Sequence, residues 1–240
     1  MPCKQQYLVS LKKTNSMKKL LLVAIMGMLM ISCNDKKKEQ EEIAKDPNLE
    51  VHEKIAMANG FEKFDSISKI KFTFNVKMND TIRSERRWAW DLKSDKISLT
   101  EKDSTMSYTK KDSLAKDKEY IDQRFVNDSY WLLFPYQLKW SNADFSKAKT
   151  AKAPISGDEL QMLTVSFPSE GGYTPGDSYD IYFNDDYMIQ EWVYKASGGG
   201  REMATTWEDY QDFEGVMISK MHKSEDGNFE LFFTDISVEE

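Results

Sequence analysis

Cysteine and histidine are close to absent from this chain of 240 residues, each occurring only twice. Both cysteines, Cys3 and Cys33, lie near the N-terminus, so residues 34–240 hold neither a disulfide nor a thiolate metal site. The two histidines, His52 and His222, stand far apart, and neither has a partner at the His-Glu-x-x-His spacing of a zinc hydrolase. Each is expected near a surface or in one structural hydrogen bond. A Gly-x-Ser-x-Gly elbow and a phosphate loop are also missing. Gly198-Gly199-Gly200 falls between strand-like segments without the helix that phosphate binding requires, and reads as a mobile hairpin loop. Carboxylates are plentiful, and Asp177, Asp180, Asp185 and Asp186 cluster along the chain. A calcium site needs oxygens converging in space, whereas Asp185 and Asp186 read as turn residues. These absences predict a protein that is no enzyme and carries no cofactor or metal.

A basic block is lacking too. Lys and Arg number 33 against 40 Asp and Glu, a net charge of -7, which excludes nucleic acid as an expected partner. What the chain does have is an aromatic content of 12%, too rich for a disordered segment.

No apolar run reaches the roughly 20 residues of a membrane-spanning helix. The longest begins after Met17-Lys18-Lys19, extends over residues 20–31 and ends at Ser32-Cys33. A short cationic start, a short apolar core and a small residue before cysteine are the parts of a lipoprotein signal peptide, here residues 17–32. Met30-Ile31-Ser32-Cys33 resembles a lipobox, with Met30 where leucine is usual, and Cys33 is then the lipidation site. Residues 1–16 read as an extension from a mistaken start. Residues 33–46, opening Asn34-Asp35-Lys36-Lys37-Lys38, form a charged, flexible tether. The expected address is the cell envelope, with the chain lipid-anchored at the outer membrane on its periplasmic or surface face.

Residues 47–240 are expected to fold as one domain. Residues 47–59 carry a helical pattern, with a short turn to follow over 61–67. The period then changes to two: Ile70, Phe72, Phe74, Val76 and Met78 alternate with polar neighbours, as a half-buried strand requires. Asn79-Asp80 predicts a tight turn, residues 82–92 a returning strand with Trp88 and Trp90 on one face, and residues 96–100 and 105–109 two more strands. A second helix is predicted over 120–133, with Pro135 stopping or turning it. Strands follow over 160–167, 178–183, 188–194, 216–222 and 229–238. The sum is an α+β fold: a strongly curved antiparallel sheet, an unclosed half-barrel, with an N-terminal helix and a middle helix packed on its concave face.

The stretch from Phe125 through Asn127-Asp128-Ser129-Tyr130-Trp131-Leu132-Leu133-Phe134-Pro135, with Tyr182-Phe183-Asn184, Trp192 and Thr206-Trp207-Glu208-Asp209-Tyr210, resembles uncharacterised envelope lipoproteins related to the outer-membrane lipoprotein carrier and receiver, the LolA/LolB-like superfamily. That resemblance covers residues 52–240 and implies a helix-lidded half-barrel whose cavity accepts acyl chains. A half-barrel incompletely covered by its helix leaves space that side chains or a ligand must fill. Trp88, Trp90, Tyr130, Trp131 and Trp192 are the candidate lining, each weighed against simple core packing. Two functions stand: a membrane-anchored, non-catalytic binder of apolar ligands, such as the acyl chains of lipids or lipoproteins, or an envelope scaffold that holds a protein or glycan partner through an aromatic face.

Overall fold

A computed structural model describes Glu42 and residues 46–110, 114–170, 173 and 175–240. The signal segment, Cys33 and the tether apart from Glu42 and Asp46 lie outside the described residues. Residues Asp46–Glu240 form one compact unit.

The first helix, α1 (Val51–Ala58), starts later than its apolar pattern predicts. The Asp46 carboxylate accepts the Asn48 N–H at 2.8 Å, which holds residues 46–48 in a turn, and the Glu53 carboxylate accepts the N–H of the N-cap residue Glu50 at 3.0 Å. Gly60 (φ 88°) then turns the chain into the single turn α2 (Phe61–Phe64).

Four strands follow: β1 (Lys69–Met78), β2 (Thr81–Asp91), β3 (Lys96–Glu101) and β4 (Ser104–Thr109). Asn79 and Asp80 both take positive φ, 46° and 63°, as a tight hairpin between twisted strands demands. The inner face of β1 is apolar at Ile70, Phe72 and Phe74, all buried. On its opposite face Lys71 is exposed, but Thr73 and Asn75 are buried and need partners. Thr73 Oγ1 donates to Asp235 at 2.9 Å, and the Asn75 amide donates to the Phe232 carbonyl at 3.3 Å.

The middle helix, α3 (Lys116–Trp140), is longer at both ends than its sequence suggests. Pro135 turns it without stopping it. Leu133 leaves helical geometry (φ -123°, ψ 26°), as expected where the proline ring crowds the preceding turn. Beyond the bend, the buried Phe134, Tyr136 and Leu138 keep the chain helical.

The second half supplies β5 (Asp144–Phe145), β6 (Lys149–Lys152), β7 (Glu159–Ser166), β8 (Ser178–Phe183), β9 (Ile189–Lys195), β10 (Glu202–Thr206), β11 (Glu208–Phe213), β12 (Val216–Lys223) and β13 (Phe229–Glu239). They complete two antiparallel sheets, one ordered β11-β12-β13-β1-β2-β3-β4 and the other β10-β9-β8-β7-β5, with β6 also on β7. The C-terminal strand therefore pairs with the first one, matching Phe74 to Phe233. The chain crosses between sheets at the buried Trp207. There the Trp207 N–H donates to Gln190 O on one sheet at 2.7 Å, while Thr206 Oγ1 accepts the Lys223 N–H on the other at 3.0 Å. One curved, unclosed surface thus breaks into two wings at a corner.

Helix α3 lies between the wings and buries opposite flanks. Ile121, Phe125, Leu132 and Tyr136 pack with the seven-stranded sheet; Phe134 and Leu138 pack with the six-stranded one. A helix enclosed on both sides carries apolar residues almost all round, which explains why no single apolar stripe marks it.

Candidate functional site

Enclosure of α3 is incomplete, and a cleft of about 530 Å³ remains between the helix and the inner faces of both wings. Val126, Tyr130 and Trp131 of α3 form one wall, Phe74, Val76, Phe229 and Leu231 the second, and Tyr179, Trp192 and Met203 the third. This size and apolar character suit one small-molecule ligand or chain, since such sites span about 300–1,000 Å³. A second cleft, about 490 Å³, opens on the other side of the helix among Trp90, Phe125, Leu133, Trp140 and Phe167. Val126, Tyr130 and Tyr173 belong to both linings and divide them.

The five residues singled out from sequence fall in three places. Tyr130, Trp131 and Trp192 come together in the larger cleft, with the Trp131 and Trp192 rings 4.5 Å apart and inclined by 64°. Trp90 lines the smaller cleft with Tyr130. Trp88 lines neither of these two clefts; it is 2% exposed, packs edge-on against Phe125 at 5.3 Å, and donates its indole N–H to Asp128 at 2.7 Å.

Asp128 is the polar anchor beneath the larger cleft. Its side chain is fully buried, and Arg86 holds it through both oxygens, Nε at 2.6 Å and a terminal nitrogen at 2.5 Å. Asn127 adds a donor at 3.0 Å. Burial pushes the Asp128 carboxyl up from its ordinary value, and the Arg86, Asn127 and Trp88 donors pull it back. Arg86 also lies over the Phe74 ring, 4.5 Å from its centre, and so faces the cleft with its charge already neutralised. Sequence reasoning missed this pair, although Arg86 shares the phase of Trp88 and Trp90 on β2. A cation in step with buried aromatics implies a buried counter-charge.

Tyr173 closes the divide from above, donating its hydroxyl to Asp122, which also accepts the Tyr108 hydroxyl at 2.7 Å. Burial and the Asp122 carboxylate push the Tyr173 phenol up to about 12 and that of Tyr108 further, so both remain protonated donors, Tyr173 tying its loop and Tyr108 tying β4 to the helix.

Behind the cleft, an edge-to-face row of rings, Trp192, Trp207 and His222, runs into the corner between the wings, with centroid spacings of 5.2 and 4.5 Å. His222 takes the second of its two expected settings: β12 points it inward, fully buried beneath Trp131, Trp207 and Phe233. It does make one structural hydrogen bond: Nδ1 lies 3.2 Å from the Thr206 carbonyl, which fixes the proton on Nδ1. Burial pushes the imidazole down to about 3. His52 instead stacks on Phe145 at 3.8 Å, and the neighbouring Glu53 pairs with Lys139 at 2.9 Å.

The aspartates clustered in sequence separate in space. Asp180 is bound by Thr164 and Lys195, and Asp177 by Tyr194 and the Ser197 N–H. Asp185 and Asp186 lie in the β8–β9 turn, where Asn184 Oδ1 accepts the Asp186 N–H at 3.1 Å. No His/Cys/Asp/Glu group among the described residues could hold a metal ion.

No protein-family model matches the chain, and no curated protein matches it by sequence. Among solved structures, it is similar to a LolA superfamily protein from Nitrosomonas europaea, with 10% identity, TM-score 0.48, and coverage of 78% of this chain and 93% of that one. It is also similar to a DUF1329 family protein from Desulfovibrio piger, with 8% identity, TM-score 0.43, and coverage of 78% and 91%.

Proposed function

We propose that the protein is a non-catalytic lipoprotein of the cell envelope, held at the outer membrane by acyl chains on Cys33, whose half-barrel binds apolar ligands, acyl chains of lipids or lipoproteins, beside α3. The observation that carries this is the larger cleft, about 530 Å³ between helix and sheets, walled mostly by aliphatic and aromatic side chains. Apolar surface of that kind gains roughly 25 cal/mol for each Å² a ligand covers. The titratable groups at the site favour binding over chemistry: Asp128 is fully engaged by donors, and Tyr173 stays protonated. A scaffold acting through an aromatic face would need its tryptophans outside, yet Trp88, Trp192 and Trp207 are buried and only Trp140 is among the exposed large hydrophobics, at 41%.

Native mass spectrometry of the full chain extracted from envelopes tests the ligand. Excess mass released as an amphiphile by organic solvent is expected. The mass of the acylated polypeptide alone, with no response of tryptophan fluorescence to added fatty acid, would refute the proposal. For the anchor, Cys33→Ser should move the protein out of the sedimenting envelope fraction, because each buried methylene contributes about 0.8 kcal/mol to membrane attachment. Unchanged sedimentation would contradict it.

A further inference from the structure

The glycine loop and the arginine after it define the polar end of the larger cleft. Its base is pinned: the Ala196 N–H donates to Arg201 O at 2.9 Å, and the Ser197 N–H donates to Asp177 Oδ1 at 2.8 Å. Its tip is free of neighbours. A Cβ on Gly198, Gly199 or Gly200 would meet nothing within 4 Å, and the first two take φ of +80° and +69°. Arg201 follows directly and turns back to line the cleft, its guanidinium 3.9 Å from the Met203 sulfur.

The charges lining the cleft are unequally committed. Arg86 is neutralised by Asp128. The two oxygens of Asp177 accept the Tyr194 hydroxyl at 3.0 Å and the Ser197 N–H. The Arg201 guanidinium has no carboxylate within ion-pair distance among the described residues, and its only hydrogen bond to them is the long one to sulfur. An exposed, unpaired guanidinium at the mouth of an apolar space complements an anionic head joined to an apolar tail.

We propose that the ligand is a single-chain anionic amphiphile, its tail among Val76, Trp131, Trp192 and Leu231 and its carboxylate or phosphate head on Arg201. This rests on the apolar-binding function proposed above and narrows it to one ligand class. The loop lets Arg201 follow heads of different size, because backbone rotation at consecutive glycines meets no steric barrier. Arg201 thereby sets specificity, while the aromatic walls supply most of the affinity.

The test uses the full chain, extracted in non-ionic detergent and exchanged into amphipol, with affinities read from tryptophan fluorescence. Palmitate should bind about tenfold tighter than hexadecanol, the usual scale of a charge-assisted hydrogen bond. Arg201→Gln should erase that preference, weakening palmitate far more than hexadecanol; Arg201→Lys should restore part of it. Hexadecyl phosphate binding more tightly than palmitate would assign the head to a phospholipid, and the reverse order to a fatty acid; either supports the proposal. Equal losses for palmitate and hexadecanol in Arg201→Gln, or no loss for either, would overturn it while leaving apolar binding intact. If the wild-type chain takes up none of the three probes, the apolar-binding function fails first and this inference falls with it.

Discussion

Acidification should destabilise this protein through His222, and the magnitude follows from its surroundings. The ring is fully buried among Trp131, Trp207 and Phe233, its Nδ1–H is committed to the Thr206 carbonyl, and Nε2 has no partner among the described residues. A proton on Nε2 would therefore sit without an acceptor in an apolar corner, which is why burial lowers the pKa from 6.5 to about 3. A lowered folded-state value means that the unfolded chain takes up the proton first. The stability contribution is complete above the unfolded value of 6.5 and is lost progressively as pH falls toward 3. Each pH unit in that window costs about 1.4 kcal/mol, so near pH 4.5 the loss is about 2.7 kcal/mol. Urea unfolding followed by tryptophan fluorescence, for the wild type and His222→Phe near pH 7.5 and pH 4.5, isolates this contribution. The substitution has its own packing cost, but that cost does not titrate, and carboxylates elsewhere act equally on both proteins. The wild type should lose about 2–3 kcal/mol more than the variant between the two conditions. Identical pH dependence in the two proteins would refute the reasoning.

Asp128→Ala leaves the Arg86 charge without its counter-ion and should cost about 3–5 kcal/mol in urea unfolding; a loss below about 1 kcal/mol would mean that the pair is solvated in solution. Gly60→Ala should cost roughly 2–4 kcal/mol, because φ is +88° and a Cβ would lie 1.9 Å from the Gly215 carbonyl oxygen. Gly198→Ala, at a similar φ of +80° with nothing nearby, should cost only about 1–2 kcal/mol, and equal losses at the two sites would show that the close approach to Gly215 does not exist.

Much of the fold was legible from local pattern. Apolar-polar alternation in sequence places β1, and strand-like runs bounded by turn residues place β2 to β4, β7 to β9, β12 and β13. The short β5 and β6 offer too few residues to establish a period. The strand β11 reads Glu-Asp-Tyr-Gln-Asp-Phe, an edge strand whose exposed side removes the contrast. Its neighbour β10 was also missed, although Met203, Thr205 and Trp207 share one phase and mark the corner. The pairing of β1 with β13 is a tertiary matter, and nothing local announces it.

The site was legible in part because its walls are aromatic. Tyr130, Trp131 and Trp192 are bulky aromatics and stand out in any list of cavity-lining candidates. Trp88 stood out equally, yet its role depends on Asp128, 40 residues away on another element. Arg201 does not stand out at all until the hairpin carries it back over the cleft.

The most direct test obstructs the space by design. Val126 projects from α3 into both clefts and is half-buried, so Val126→Trp puts a bulky ring between the walls where an acyl chain would lie, while leaving the strands and the Asp128 anchor untouched. With unfolding midpoints matched to the wild type, saturable uptake of a fluorescent fatty acid should fall at least about tenfold in the variant. Uptake of equal affinity and stoichiometry in the two proteins would mean that acyl chains bind elsewhere, and that the cleft beside α3 is not the site.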